Sequence, residues 1–487
     1  MDRREWGKWV VALTTVAAGA LFDASPGAAT QADTKTPSAG WTTYRGNPKR
    51  TGNTDGVAGP DTPRLLWVHK SKDHFLASPV PIGNRLYASG FGAFNVSTFY
   101  CLAANPKAAR RVEWIKSTPY LKLPTVSSPA VTGDKLIFGD GMHQTDGAIL
   151  HCLQSEAGLP LWQLSVPGKL VHLEGSPTVV GSRVYIGGGA AGVLCVDLER
   201  VSLDGKEMSL PAIKKILDDK WKQLVAQYEK DKKADPDFAV PPSSDDLPKP
   251  APKRLWQQGQ GKWHVDAPVA VAGERVLVAS AFLDKEQLGD RALICLDAGT
   301  GDIKWKAPLQ VNPWGGPSIQ GEVVVVGGST IGYDPRELQK AQGEIVTLGL
   351  ADGKVKWRKE VPGGIVSCVA LADGLALATA TDGKVRAFDL ATGNLRWTYD
   401  GKTNFFAPPA VVAGVAYAGD LKGVVHAVSL KDGTLKWTFD LGAGEVKAPG
   451  MIYGGPVMHG GRLFVATCNM EGPNAQKETA VVCLGAK

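Results

Sequence analysis

The chain of 487 residues has no adjacent cysteines, no Cys-x-x-Cys-His segment and no cysteine before Cys101. These absences argue against a disulfide between neighbouring cysteines, against covalent haem attachment and against lipid anchoring at an amino-terminal cysteine. No apolar run reaches the roughly 20 residues that a spanning helix needs, so no transmembrane span is expected in the mature chain. An excess of one charge is also missing, with 54 Lys and Arg against 48 Asp and Glu. Without a run of basic residues interleaved with aromatics, nucleic acid is not expected as a partner.

Residues 1–29 read as an export signal. Arg3, Arg4 and Lys8 form a basic start, Trp9 to Phe22 is apolar, and Gly27-Ala28-Ala29 supplies small residues for cleavage. Arg3-Arg4-Glu5-Trp6-Gly7-Lys8 resembles the twin-arginine motif, with Asp2 in place of the usual Ser or Thr; the general secretion route is the alternative. The expected location is therefore periplasmic or extracellular. Residues 30–63 form a lead-in segment.

Glycine and tryptophan are abundant, at 58 and 14 residues, and they recur together. The segments LDAGTGDIKW, LGLADGKVKW, FDLATGNLRW and VSLKDGTLKW end at Trp305, Trp357, Trp397 and Trp437, and LQSEAGLPLW ends at Trp162; in all five Gly stands four residues before Trp. Between them lies a second unit of small residues, Pro and alternating apolar residues about a Gly turn, such as SSPAVTGDKLIFG and APPAVVAGVAYAG. Both units have strand periodicity, and the turn glycines supply the positive φ of tight hairpins.

Four short antiparallel strands per period of about 40 to 50 residues make one propeller blade. Trp67, Trp114, Trp162, Trp256, Trp305, Trp357, Trp397 and Trp437 mark eight blades over residues 64–487 and are read as structural. The predicted fold is thus all-β, an eight-bladed propeller of four-stranded antiparallel blades. The last unit stops after Val482-Cys483-Leu484 without a Trp strand, and Arg64-Leu65-Leu66-Trp67 is expected to supply it and close the ring.

Cys101, Cys152, Cys195, Cys295 and Cys483 share one repeat column with Thr347, Ala387 and Ala427, which indicates small buried side chains rather than a disulfide framework. Cys368 takes the small position that Ser128 and Ser176 hold elsewhere, and Cys468 has no such account. The run Gly187 to Gly192 matches a dinucleotide fingerprint, but the strand VLCVDL follows it instead of the helix that phosphate binding requires. Residues 203–253 interrupt the third blade with an amphipathic helix (Ile213, Ile216, Leu217, Trp221, Leu224, Val225, Tyr228) and a Pro-rich linker. That apolar stripe is expected to pack on the propeller, with docking of another protein as the alternative.

Loops leading into the innermost strands bring equivalent positions round one channel mouth. His74, His172, Trp263, Asn312 and Asn404 lie five residues before the Pro column, with Glu174, His264, Asp266 and Trp314 nearby. These nine are the candidate ligand-binding residues. No catalytic residue and no metal ligand is assigned.

The repeated unit with its blade tryptophans, and the lead-in Trp41-Thr42-Thr43-Tyr44-Arg45-Gly46, resemble the quinoprotein-type propeller family of pyrroloquinoline quinone (PQQ) repeats, including its non-catalytic BamB-like branch. The dehydrogenases of that family hold PQQ beneath a disulfide of adjacent cysteines and bind calcium through Glu and Asn, with an Asp as base. Such cysteines are missing here, so the resemblance implies a non-catalytic scaffold, monomeric and without a cofactor. It would bind other envelope proteins through its rim or its insertion helix. The alternatives are a PQQ- and calcium-dependent alcohol or sugar dehydrogenase with a divergent site, using Glu174 and Asp266, and a carbohydrate binder using Trp263 and Trp314.

Overall fold

The computed structural model describes residues 41–487 except 53–54, 93–95, 144, 333, 471, 476 and 487. The expected export signal and the first part of the lead-in lie outside the described residues. The described residues form eight antiparallel sheets, seven of four strands and one of five. Blade 1 comprises Val80–Ile82, Arg85–Phe91, Ser97–Ala103 and Val112–Lys116, and blades 2 to 7 follow in chain order. Blade 8 joins Val457–His459, Arg462–Ala466 and Thr479–Gly485 to the strand Arg64–Ser71. In that closure Trp67 lies opposite Cys483, and the pairing runs from Arg64 with Gly485 to Ser71 with Thr479.

Each blade tryptophan bridges to the next blade. Trp114, Trp162, Trp256, Trp305, Trp357 and Trp397 donate through Nε1 to Ser155, Leu198, Ala298, Leu350, Leu390 and Leu430 carbonyls, and Trp67 donates to Ala104, at 2.8–3.3 Å. Apart from Leu198, which lies within the extended third strand of blade 3, each acceptor immediately follows the third strand of the adjoining blade. Trp437 of blade 7 donates instead to the Pro60 carbonyl of the lead-in at 3.0 Å. The turn glycines make room for the indole. A Cβ at Gly301, Gly353, Gly393 or Gly433 would lie 2.5–2.7 Å from the preceding blade's Trp ring.

The cysteine column faces the tryptophans across the third and fourth strands. Cys101, Cys152, Cys195, Cys295, Thr347, Ala387, Ala427 and Cys483 each pair with their blade's Trp, which explains the demand for a small residue. All seven cysteines are buried and free of disulfides. Cys468 exchanges backbone hydrogen bonds with Met451 in an isolated bridge, equivalent to Asn312 with Ser329 and His264 with Ala281.

The lead-in enters the ring and fills part of its axis. Thr42, Pro48, Lys49, Thr51 and Gly52 carbonyls accept from Val131, Ile319, Leu371, Val411 and Val271 backbone N–H groups on the innermost strands of five blades, Val271 bonding to Pro48. The corresponding residue of blade 1 is Pro81, which has no N–H to offer. Arg45 and Arg50 are 1% and 0% exposed. Arg50 donates to the Tyr44, Ser176, Pro177 and Val269 carbonyls and to the Thr43 and Thr178 hydroxyls, so a buried cation is satisfied by neutral oxygen alone.

In blade 3 the third strand extends to Val193–Leu203 and forms a hairpin with Lys206–Ser209, which leads into helix α1, Leu210–Ala234. Its first half packs through Leu210, Ile213 and Leu217, which join Leu161, Leu164, Leu198 and Val201, with Trp221 and Leu224 at the margin, whereas Ile216 of the expected stripe is 36% exposed. Farther along, Val225 is 36% exposed and the helix leaves the sheet. Among the described residues no helix is long and apolar enough to cross a membrane.

Candidate metal centre

Three loops at one channel mouth converge. His143 lies between the second and third strands of blade 2, His172 and Glu174 lie between blades 2 and 3, and His264 and Asp266 lie between blades 3 and 4. The glycine run 187–192 is what lets these loops descend. A Cβ on Gly189, at φ +55°, would lie 2.8 Å from the His172 ring, and one on Gly187 would meet Val265 at 2.6 Å. Gly189 also exchanges backbone hydrogen bonds with Val265. The misleading fingerprint is therefore a packing feature of this pocket.

Asp266 sits between two imidazoles, with Oδ1 2.6 Å from His172 Nε2 and Oδ2 2.8 Å from His264 Nε2. His143 Nδ1 is 4.0 Å from Oδ2. The three ring centroids are 5.2, 5.4 and 5.5 Å apart, a nearly equilateral triangle. The His172 and His264 side chains are fully buried, whereas that of His143 is 45% exposed and forms the solvent side. His172 Nδ1, His264 Nδ1 and Glu174 Oε1 are buried without hydrogen-bond partners.

Burial opposes ionisation of Asp266, but His172 and His264 outweigh it and hold this carboxyl well below the usual range. Burial, reinforced by the charge of Asp266, pushes Glu174 up to about 7. Burial also works against protonation of His172, yet Asp266 raises it, while burial lowers His143. A pocket with two carboxyls and three imidazoles holds acid, base and ligand atoms within reach of one another, and four of these residues offer donor atoms within 4.8 Å of one another.

Of the sequence candidates, His172, Glu174, His264 and Asp266 are brought together. The other five lie elsewhere. Asn312 bonds to both backbone groups of Phe282, Asn404 donates to the Thr381 carbonyl, and His74 Nδ1 accepts from Asn469 N–H. Trp263 is 5% exposed, with its ring against Gly259, and Trp314 is half-buried. His143 was missed because it belongs to a different loop of the blade and falls outside the Pro-column register. Its available signal was rarity, as the chain has only 8 histidines. The calcium and PQQ pairing proposed for Glu174 and Asp266 meets a chemical obstacle: calcium takes oxygen ligands, and three of these five side chains offer imidazole nitrogen.

The family model described as "Outer membrane protein assembly factor BamB" matches residues 29–226, 249–341 and 336–482. No curated protein matches in sequence. BamB from Moraxella catarrhalis is similar in structure, at 12% identity and TM-score 0.55, covering 86% of this chain and 97% of that one. A europium-containing methanol dehydrogenase is similar at 13% identity and TM-score 0.61, over 92% and 98% of the two chains. Quinohemoprotein alcohol dehydrogenase from Comamonas testosteroni is similar at 12% identity and TM-score 0.60, over 92% and 80%. At such identities these likenesses establish the eight-bladed fold, which BamB and the dehydrogenases share. Together with the family match along the chain, the blades show that this protein belongs to the BamB-like PQQ-repeat propeller family.

Proposed function

We propose that this chain is an exported, non-catalytic propeller that binds other proteins of the cell envelope. The observation that carries the reading is a row of exposed aliphatic residues on the outer strands of four consecutive blades. Ile303, Val355, Leu395 and Leu435 stand two residues before the blade Trp and are 53%, 47%, 55% and 49% exposed. A basic residue follows each: Lys304, Lys356, Arg396 and Lys436. Outer strands with unpaired edges, repeated apolar positions and flanking cations suit an extended, acidic segment of a partner. The description of the matching family and the lack of adjacent cysteines support the same reading.

The test is affinity capture from an envelope extract with the mature chain and with a variant carrying Ser at 303, 355, 395 and 435. Loss of a specific partner with unchanged melting temperature is expected. Identical capture by both proteins would overturn the reading. A second reading, a PQQ-dependent dehydrogenase, draws on Glu174 and Asp266 at the mouth and on the fold shared with dehydrogenases. Stoichiometric binding of PQQ with calcium, accompanied by dye-linked alcohol oxidation, would establish it in place of the scaffold.

A further inference from the structure

Asp266 accounts for the placement of His172 and His264, because it meets each Nε2 at hydrogen-bond distance. It does not account for His143. That imidazole is half-exposed, lies too far from Asp266 for a hydrogen bond, and still turns a nitrogen toward the same carboxylate oxygen as His264. Nor does it account for Glu174, whose carboxyl faces the His143 backbone N–H and whose buried Oε1 has no partner at hydrogen-bond distance.

We propose that His143, His172, His264 and Asp266 bind a first-row divalent transition ion of the zinc type at the channel mouth, independently of the scaffold role. A tetrahedral ion about 2.0–2.1 Å from each ligand sets the ligand atoms about 3.4 Å apart. His172 Nε2 lies 2.6 Å from Asp266 Oδ1, and His264 Nε2 and His143 Nδ1 lie 2.8 and 4.0 Å from Oδ2, distances that straddle that value, and all four donor atoms lie within 4.8 Å of one another. Imidazole nitrogen with a single carboxylate oxygen suits zinc, cobalt, nickel or copper, whereas calcium and magnesium favour oxygen. His143, on the solvent side, is the ligand through which the ion enters.

The experiment uses the mature chain without a polyhistidine tag, stripped with chelator and titrated with Co2+. One equivalent should bind with the intense visible absorption of tetrahedral cobalt, and Zn2+ should displace it. Because His143 is half-exposed, His143→Ala leaves the fold intact by circular dichroism and should weaken cobalt binding at least about tenfold. Asp266→Asn should weaken it as well, with its melting curve measured alongside. No cobalt or zinc bound at micromolar concentrations, undiminished binding in both variants, or displacement of cobalt by equimolar calcium would each overturn the proposal.

Discussion

Arg50 donates from the ring axis to the carbonyl of Ser176 at 2.8 Å, two residues beyond Glu174. The segment preceding the propeller thus supports, from beneath, the loop that carries His172 and Glu174. The guanidinium has no carboxylate partner in its set of acceptors, so its removal would leave several buried carbonyls unsatisfied.

Arg50→Ala should therefore cost about 2–5 kcal/mol, read by urea unfolding of the mature chain. Arg50→Lys should recover only a minor part, because an ammonium cannot reach acceptors spread across a planar fork. Full recovery by Lys would mean that charge matters and the spread of hydrogen bonds does not.

Deletion of residues 64–68 should be far more damaging than their number suggests. It removes Trp67 from Cys483 and exposes the edge of Thr479–Gly485. The expected outcome is aggregation or loss of the cooperative melt, whereas deleting five exposed residues near the end of helix α1 should leave the melting temperature within a few degrees. A deletion of 64–68 that melts normally would show that closure by this strand is dispensable.

Two glycines with positive φ separate backbone strain from indole packing. Gly433 has φ +75° and a Cβ there would lie 2.7 Å from the Trp397 ring, while Gly414 has φ +74° and nothing within 4 Å. Gly414→Ala should cost about 1 kcal/mol from strain alone. Gly433→Ala should cost about 1–3 kcal/mol more, as the indole must move. Equal losses would mean that the Trp turn is loosely packed.

Helix α1 should behave as two halves. Leu217→Ala should cost about 2–4 kcal/mol, since Leu217 is 1% exposed against blade 3. Val225→Ser, at a residue 36% exposed, should fall within about 0.5 kcal/mol of the parent. A large loss at Val225 would place the distal half on a surface that these contacts do not reveal.

The fold was legible in the sequence because its signals are local. The Gly four residues before the Trp in five blades specifies a turn and a stacking surface at once, and the small residue opposite each Trp shows as the Cys, Thr and Ala column. The site was legible only in part. His172, Glu174, His264 and Asp266 share the register of one loop type, which the Pro column reveals. His143 comes from another loop, and only the folding of blade 2 against blade 3 brings it close. The lead-in was recognised by its motif, but burial of Arg45 and Arg50 was not anticipated. Nothing in a short polar stretch declares that surrounding carbonyls will solvate its cations.

The lead-in also breaks the rotational equivalence of the ring. Its carbonyls from Thr42 to Gly52 meet the inner strands of five particular blades, Arg50 reaches a sixth, and blade 1 offers a proline where the peptide bonds to none. Propellers can lengthen by duplicating a blade, since each blade contacts mainly its neighbours. Here an added or lost blade would change the axial bore and shift every acceptor by one position, leaving two arginines buried among the wrong carbonyls. The lead-in acts as a gauge of ring size, because its carbonyls and Arg50 find their partners only in a ring of eight blades.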